Sequence, residues 1–343
     1  MNFKTFGKLP SEDRLQKIEQ VDNYREGEFK NVETTSLNPD NVSTFKMLRA
    51  FYNKPKDVKP DREIPNKKID LSSIEAEKPT IVWFGHSSYL ITHNNFKILV
   101  DPVFSGNASP VNIFGKSFSG ADNYEVEDLP EIDLLILTHD HYDHLDFPTI
   151  EKLHAKTKKI ITSLGVASHL EYWGVFPNKI TELNWWEYIT INKNLKITAT
   201  PARHFSGRGF TRAKTLWSSF VLELDRYKIF IGADSGYDDQ FKRIGAHFKG
   251  FDIAFLECGQ YSAHWPQIHM FPEETVKAAK DLDTKIVFPV HWAKFMLSTH
   301  PWNQSIKRFI KEAAVQEQEY IAPIIGESYV LGENYMQTNW WDF

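Results

Sequence analysis

Apolar and polar positions follow two regimes along this chain, and the change falls near Thr80. Before it the sequence is polar and charge-rich, with apolar residues three or four apart. Ser11 suits a helix N-cap ahead of Leu15, Ile18 and Val21, and Phe45, Leu48 and Phe51 repeat at similar spacing. That spacing predicts two short amphipathic helices packed on a main body. Beyond Thr80 the apolar residues gather into short runs of strand length, among them 132–138, 195–203, 227–233 and 285–290. Helical spacing is predicted over 147–158, 166–173, 272–282 and 303–314, with Pro148 and Pro272 at helix starts. Runs of strands separated by helices, with no short repeat, predict an α/β fold of two packed sheets covered on their outer faces. The Lys- and Pro-rich stretch 53–73 is the one candidate linker, so the chain divides into an N-terminal extension, 1–75, and a main domain, 76–343.

Composition narrows the class. A chain of 343 residues fits one large α/β unit. The formal charge of −5 provides no broad basic surface, which counts against a dedicated nucleic-acid binder. No stretch approaches the ~20 apolar residues of a membrane span, and the N-terminus lacks the apolar core of a signal peptide. Cys258 is the only cysteine, which excludes an intramolecular disulfide and fits a reducing compartment; the expected location is the cytoplasm. It follows the apolar run 253–256, so a buried structural thiol is expected rather than a nucleophile.

The chemistry is concentrated in His139-Asp140-His141-Tyr142-Asp143-His144, which begins where the apolar run 132–138 ends. Alternate residues of an extended chain point the same way, so His139 and His141 can bind one cation together. Asp143 and His144, entering a turn, face a second position. Imidazole nitrogen and carboxylate oxygen are typical zinc ligands. Asp140, between the ligands, is expected to solvate or orient them.

This segment matches in full the H-x-H-x-D-H signature of the metallo-β-lactamase superfamily, which the chain resembles. The resemblance implies a four-layer αββα sandwich and further ligands at the ends of later strands, and His204, Asp234 and His291 occur in the required order. It assigns His139, His141 and His204 to one metal, Asp143, His144 and His291 to a second, and Asp234 between them. Two zinc ions are the default occupants, with manganese or iron as alternatives. A narrower likeness rests on Trp83 to Ser88, Ile98 to Ser105, Pro201-Ala202-Arg203-His204, Gly236-Tyr237, Glu257-Cys258-Gly259-Gln260, Ile268-His269-Met270 and His291-Trp292. It runs from about Thr80 to Trp302. These look like the branch containing N-acyl-phosphatidylethanolamine-hydrolysing phospholipase D and bacterial metal-dependent hydrolases, with ascorbate-phosphate lactonase more distant.

That branch implies a hydrolase in which a hydroxide held between two metals attacks phosphorus or a carbonyl carbon. Asp143 and Asp234 hold the metals, and His269 is the candidate acid or base beside the site. Asp101 and His86 are expected to orient the ligands by hydrogen bonds. Arg203 and Arg208, with Arg212 and Lys214 nearby, suit phosphate recognition. Trp265, Trp292, Trp302, Trp340 and Trp341 offer walls for an acyl chain, although large aromatics usually fill cores. Ordinary structural positions are expected for His93, His154, His169, His247, His264 and His300. The first reading is a phosphodiesterase of phospholipase D type acting on a phospholipid or small molecule, with peripheral membrane contact. The second is a lactonase or other carbonyl-centre hydrolase on a phosphorylated small molecule, and the third a mononuclear iron oxidoreductase. The resemblance speaks against a diiron enzyme, since that pattern carries Glu where this chain has His141.

Overall fold

The computed structural model describes residues 3–37, 49, 52–111 and 114–343. The expected helix around Phe45, Leu48 and Phe51 lies outside the described residues. Helix α1, Glu12–Ile18, forms after Ser11 as its spacing predicts. The extension also contains a small hairpin of β1, Tyr24–Arg25, and β2, Glu28–Phe29, where only helices were expected; Gly27 at positive φ makes the turn. Ile18 and Phe29 are buried against Ala202, Leu216 and Trp217. Nor is 53–73 a free tether, because Ile64 joins the core between the sheets and Leu71 the core on the outer side of the first sheet.

Two seven-stranded sheets make up the body. The first contains β3 (Thr80–Trp83), β4 (Tyr89–His93), β5 (Phe96–Val100), β6 (Ile132–Leu137), β7 (Thr157–Ser163) and β8 (Ile180–Leu183), with β16 (Ser328–Val330) beside β3. The second runs in order through β9 (Tyr188–Asn192), β10 (Leu195–Pro201), β11 (Ser218–Leu224), β12 (Tyr227–Ile231), β13 (Phe251–Glu257), β14 (Thr284–Val290) and β15 (Glu319–Tyr320). Both begin as antiparallel meanders and continue with parallel strands, from β5 to β8 and from β12 to β15.

Side chains alternate between two cores along each strand of the first sheet. Ile81, Trp83, Tyr89, Ile91, Ile98, Val100, Leu134 and Ile136 face the second sheet. Val82, Leu90, Leu99, Leu135 and Leu137 face the outer layer with Phe147, Ile150 and Leu170. Burial on both faces is why these strands read as continuous apolar runs. Tyr89 and Phe255 stack across the gap at 4.0 Å and 6°, joining the two sheets.

The outer helices are α2 (Phe147–Leu153), α3 (Ala167–Tyr172), α4 (Gln240–Phe248), α5 (Pro272–Asp281) and α6 (Gln304–Val315). Helix α2 is shorter than predicted. The Thr157 hydroxyl donates to the Leu153 carbonyl at 3.0 Å, ending the helix as β7 begins. Helix α4, which carries Gly245 in its middle, was not among the predicted helices. There a Cβ would meet the Asp281 carbonyl at 2.2 Å, so glycine is what lets α4 lie against the end of α5. The architecture is the expected αββα sandwich. No helix among the described residues is long and apolar enough to cross a membrane.

Candidate metal centre

Residues singled out by the sequence cluster where strands end. Asp101 follows β5, His139 to His144 follow β6, His204 follows β10, Asp234 follows β12 and His291 follows β14. Chain reversal just past a strand demands unusual backbone. His86, Asp101, Ala233, Gln260, His291 and Ala293 have φ of 54, 39, 54, 61, 66 and 64°, strained for side-chain-bearing residues and concentrated around one site. The loops also approach closely: a Cβ on Gly259 would meet the His291 carbonyl at 2.1 Å.

Two groups of donors converge. Nε2 of His139 and Nε2 of His204 lie 3.0 and 3.1 Å from Nδ1 of His141, and Oδ2 of Asp234 is 3.9 and 3.7 Å from the same two Nε2 atoms. In the second group Oδ2 of Asp143 is 3.6 Å from Nε2 of His144 and 3.4 Å from Nε2 of His291. Asp234 reaches this group too, with Oδ1 3.2 Å from His144 and Oδ2 3.2 Å from His291. It stands between the two groups.

The opposite sides of these rings are tethered. Asp101 Oδ2 accepts from Nδ1 of His144 at 2.8 Å and from the Thr138 hydroxyl at 2.6 Å, while Oδ1 accepts the Thr138 N–H at 2.8 Å. Nδ1 of His204 donates to the Ile268 carbonyl at 2.9 Å, which leaves Nε2 free to face inward. Nε2 of His86 is 2.9 Å from Oδ2 of Asp143, and its ring packs on His291 at 4.1 Å. Asp140 orients the ligand loop, accepting from Gly207 N–H at 2.7 Å and Thr215 hydroxyl at 2.8 Å, with Nε2 of His169 at 3.2 Å.

Crowding is visible in the electrostatics. Burial and neighbouring imidazoles hold His139 well below the ordinary imidazole pKa. Burial also disfavours charge on His144, yet Asp234, Asp143 and Asp101 outweigh it and hold the group well above its usual value. His86 is pushed down to about 3 by burial and by His291. Burial opposes ionisation of Asp234 as well, but His144 and His291 overcome it and hold the carboxyl well below its range.

Nε2 of His144 and Oδ1 of Asp234, although close, have no hydrogen-bond partner of good geometry among the described residues. Orphaned buried donors and acceptors are costly. The unpartnered His144 Nε2 and Asp234 Oδ1 fit a divalent cation in the second group, and the facing imidazole nitrogens of His139, His141 and His204 fit one in the first; the donor set is of the nitrogen and oxygen type that suits zinc. Each group of four, His139, His141, His204 and Asp234, and Asp143, His144 and His291 with His86 alongside, has ligand atoms close enough for one cation.

Beside the groups lies a cleft of about 440 Å³ lined by Leu37, Phe205, Arg212, Gln260, Trp265, Ile268, His269 and Leu297 as well as the metal-facing residues. Two expectations about it are corrected. Arg208 is 3% exposed and turned away: Nη1 donates to the Asp140 and Leu145 carbonyls and Nη2 to the Thr5 carbonyl, while the guanidinium packs over Tyr142 and Trp173. Arg203 bonds Thr35, the Thr34 carbonyl and the Tyr237 carbonyl, so it pins the extension. Arg212 is the exposed cation at the cleft, resting over Phe205. Among the tryptophans only Trp265 lines the cleft; Trp292, Trp302, Trp340 and Trp341 pack in one aromatic cluster of the core.

Sequence reasoning assigned no role to Glu257. It ends β13, between the strands that lead to Asp234 and His291, and its carboxylate meets His269 at 2.7 Å. An acidic residue closing an apolar strand was the available signal.

Residues 97–292 match the family described as Beta-lactamase superfamily domain. Over 314 residues the chain is 33% identical to an uncharacterised protein of Mycobacterium tuberculosis, covering 90% of this chain and 84% of that one. It is 28% identical over 291 residues to N-acyl-phosphatidylethanolamine-hydrolyzing phospholipase D 1 of Caenorhabditis elegans, covering 80% and 82% respectively. Among solved structures, a metallo hydrolase from the archaeon Ignicoccus hospitalis superposes with a TM-score of 0.57 at 19% identity, over 75% of this chain and 100% of that one.

Proposed function

Since the chain belongs to the β-lactamase superfamily, is a metal-dependent hydrolase and is similar to N-acyl-phosphatidylethanolamine-hydrolyzing phospholipase D 1, we propose that it is a binuclear phosphodiesterase. The observation that carries this reading is Asp234 standing between two donor groups, within 3.9 Å of His139 and 3.2 Å of His144. Bound there, two zinc ions would supply a water acidified to near-neutral pKa and positive charge for the anionic transition state. His139, His141 and His204 would hold one ion, Asp143, His144 and His291 the other, and Asp234 both.

The remaining steps belong to the chain. Arg212 carries no carboxylate partner among the described residues and is free to pair with a substrate phosphate. Leu37, Phe205, Trp265, Ile268 and Leu297 offer an apolar wall for an acyl chain, which favours a phospholipid or other phosphorylated amphiphile. Nδ1 of His269 is engaged by Glu257, so Nε2 is the nitrogen available to protonate the departing oxygen. In the same reading residues 1–75 are an extension, its described part packed on the hydrolase unit through Ile18 and Phe29, and the single thiol suits the cytoplasm.

The test is mass-spectrometric product analysis after the zinc-loaded protein is incubated with an N-acyl-phosphatidylethanolamine. Release of phosphatidic acid and N-acylethanolamine, abolished in Asp234→Asn, is the expected result. An intact lipid alongside hydrolysis of lactones would replace the phosphodiesterase reading with the carbonyl-centre one.

A further inference from the structure

Glu257 is 0% exposed and its carboxylate serves three parts of the site at once. Oε1 accepts from the N–H of Ser235, next to Asp234, at 2.7 Å, and more weakly from Met270 N–H at 3.4 Å. Oε2 lies 2.7 Å from Nδ1 of His269 and 3.2 Å from Nδ1 of His291. An ionised carboxylate is acceptor-only, so the short contact places a hydrogen on Nδ1 of His269. The His269 ring is also fixed in direction, stacked on His291 at 13° with centroids 5.1 Å apart and edge-on to His204 at 5.0 Å. Its other nitrogen is left for the cleft that His269 lines.

We propose that Glu257 is a positioning residue that fixes His269 as the Nδ1–H tautomer, aims its Nε2 at the leaving oxygen, and anchors the Asp234 loop through Ser235. Its place in the reaction rests on the phosphodiesterase reading; its control of the tautomer does not. In that reaction a water oxygen bonds phosphorus and its proton passes to solvent, while the bond to the leaving oxygen breaks with its electron pair passing to that oxygen, which takes the Nε2 proton of doubly protonated His269. The ring returns to the neutral Nδ1–H form, still bonded to Glu257, and regains the Nε2 proton from solvent water. A buried carboxylate orients the ring, the role it plays beside other acid–base histidines.

Two readouts test this. Histidine 15N correlation spectra of the zinc-loaded protein, with His269 assigned by its loss in His269→Gln, should show the Nδ1–H tautomer in the wild type and a shift toward Nε2–H in Glu257→Leu, with Glu257→Asp intermediate. An unchanged tautomer in a folded Glu257→Leu overturns the proposal, whatever the substrate proves to be. Kinetically, Glu257→Gln should lower kcat about a hundredfold for alkyl phosphodiesters, whose leaving oxygen needs a proton, and leave KM and p-nitrophenyl phosphodiester turnover little changed. Zinc content measured on the same samples should stay at the wild-type value. Equal loss on both substrate types, or loss of zinc, would mean that Glu257 only supports the metal site. If the wild type cleaves no phosphodiester, the parent reading fails, and the spectra still decide the tautomer question.

Discussion

Asp101 illustrates how much of this site depends on residues that never face the cleft. One carboxylate holds the His144 ring, the Thr138 hydroxyl and the Thr138 N–H, at 2.8, 2.6 and 2.8 Å. Asp101→Ala frees the ring of His144, and because outer partners of this kind are worth about 10- to 100-fold in metal affinity, a chelator-competition titration should show a loss in that range. An unchanged affinity would mean that His144 is oriented by packing alone. His291 yields a prediction about pH. Burial opposes its charge, but Asp234, Asp143 and Glu257 outweigh that and raise the imidazole to about 10 in the metal-free chain. A raised folded pKa means that this stabilisation is complete below the unfolded value of ~6.5 and is lost as pH rises through about 10. A metal ligand must be neutral imidazole, so zinc binding expels the proton, and affinity should climb between about pH 6 and about pH 9. Calorimetry in buffers of different ionisation enthalpy counts the released proton, and a pH-independent affinity would refute the assignment of His291.

At the level of elements, the site is made by strand ends that are allowed to lie unusually close. β12, β13 and β14 are parallel neighbours, and their carboxyl ends deliver Asp234, Glu257 and His291 in one row. The row is held at its spacing by Gly259, where a methyl group would strike the His291 carbonyl at 2.1 Å. Gly259→Ala should therefore push the His291 loop outward, losing zinc stoichiometry and activity together. Circular dichroism should still report the sandwich, because the collision is with one loop. Full metal content in that variant would show that the loop gives way at no cost. The extension acts on the opposite flank. The Thr5 carbonyl accepts from Nη2 of Arg208 at 2.7 Å, whose Nη1 in turn donates to the Asp140 carbonyl at 2.7 Å, so Thr5 braces the loop of His139 and His141.

For the molecule as a whole, the cost of assembling the site is borne by the sandwich, which buries Asp143, Asp234, His139, His144, His204 and His291 together. Binding of cations to the folded state alone adds about 4 kcal/mol when free metal is a thousandfold above Kd. Chelation should lower the melting temperature measurably, and added zinc should restore it; a melt indifferent to chelator would argue against metal at these groups. Much of this was legible in the order of residues. Apolar runs marked the strands because both faces of a central sheet are buried. His139, His141, Asp143 and His144 are local in sequence, so their spacing spoke for itself. The arginines were different, because residues crowded around His204 in the chain diverge in space: Arg208 turns inward to three carbonyls, Arg203 to the extension, and Arg212 alone reaches the cleft. Glu257 was given no role for the same reason, since its partners Ser235, His269 and His291 lie on other segments. Sequence by itself determined the layered α/β class and the metal motif of His139 to His144, because periodicity and ligand spacing are local properties, while His204, Asp234 and His291 were placed by the family resemblance. Only the tertiary structure decided which side chains face the cleft and which brace it, because that depends on packing between segments far apart in the chain.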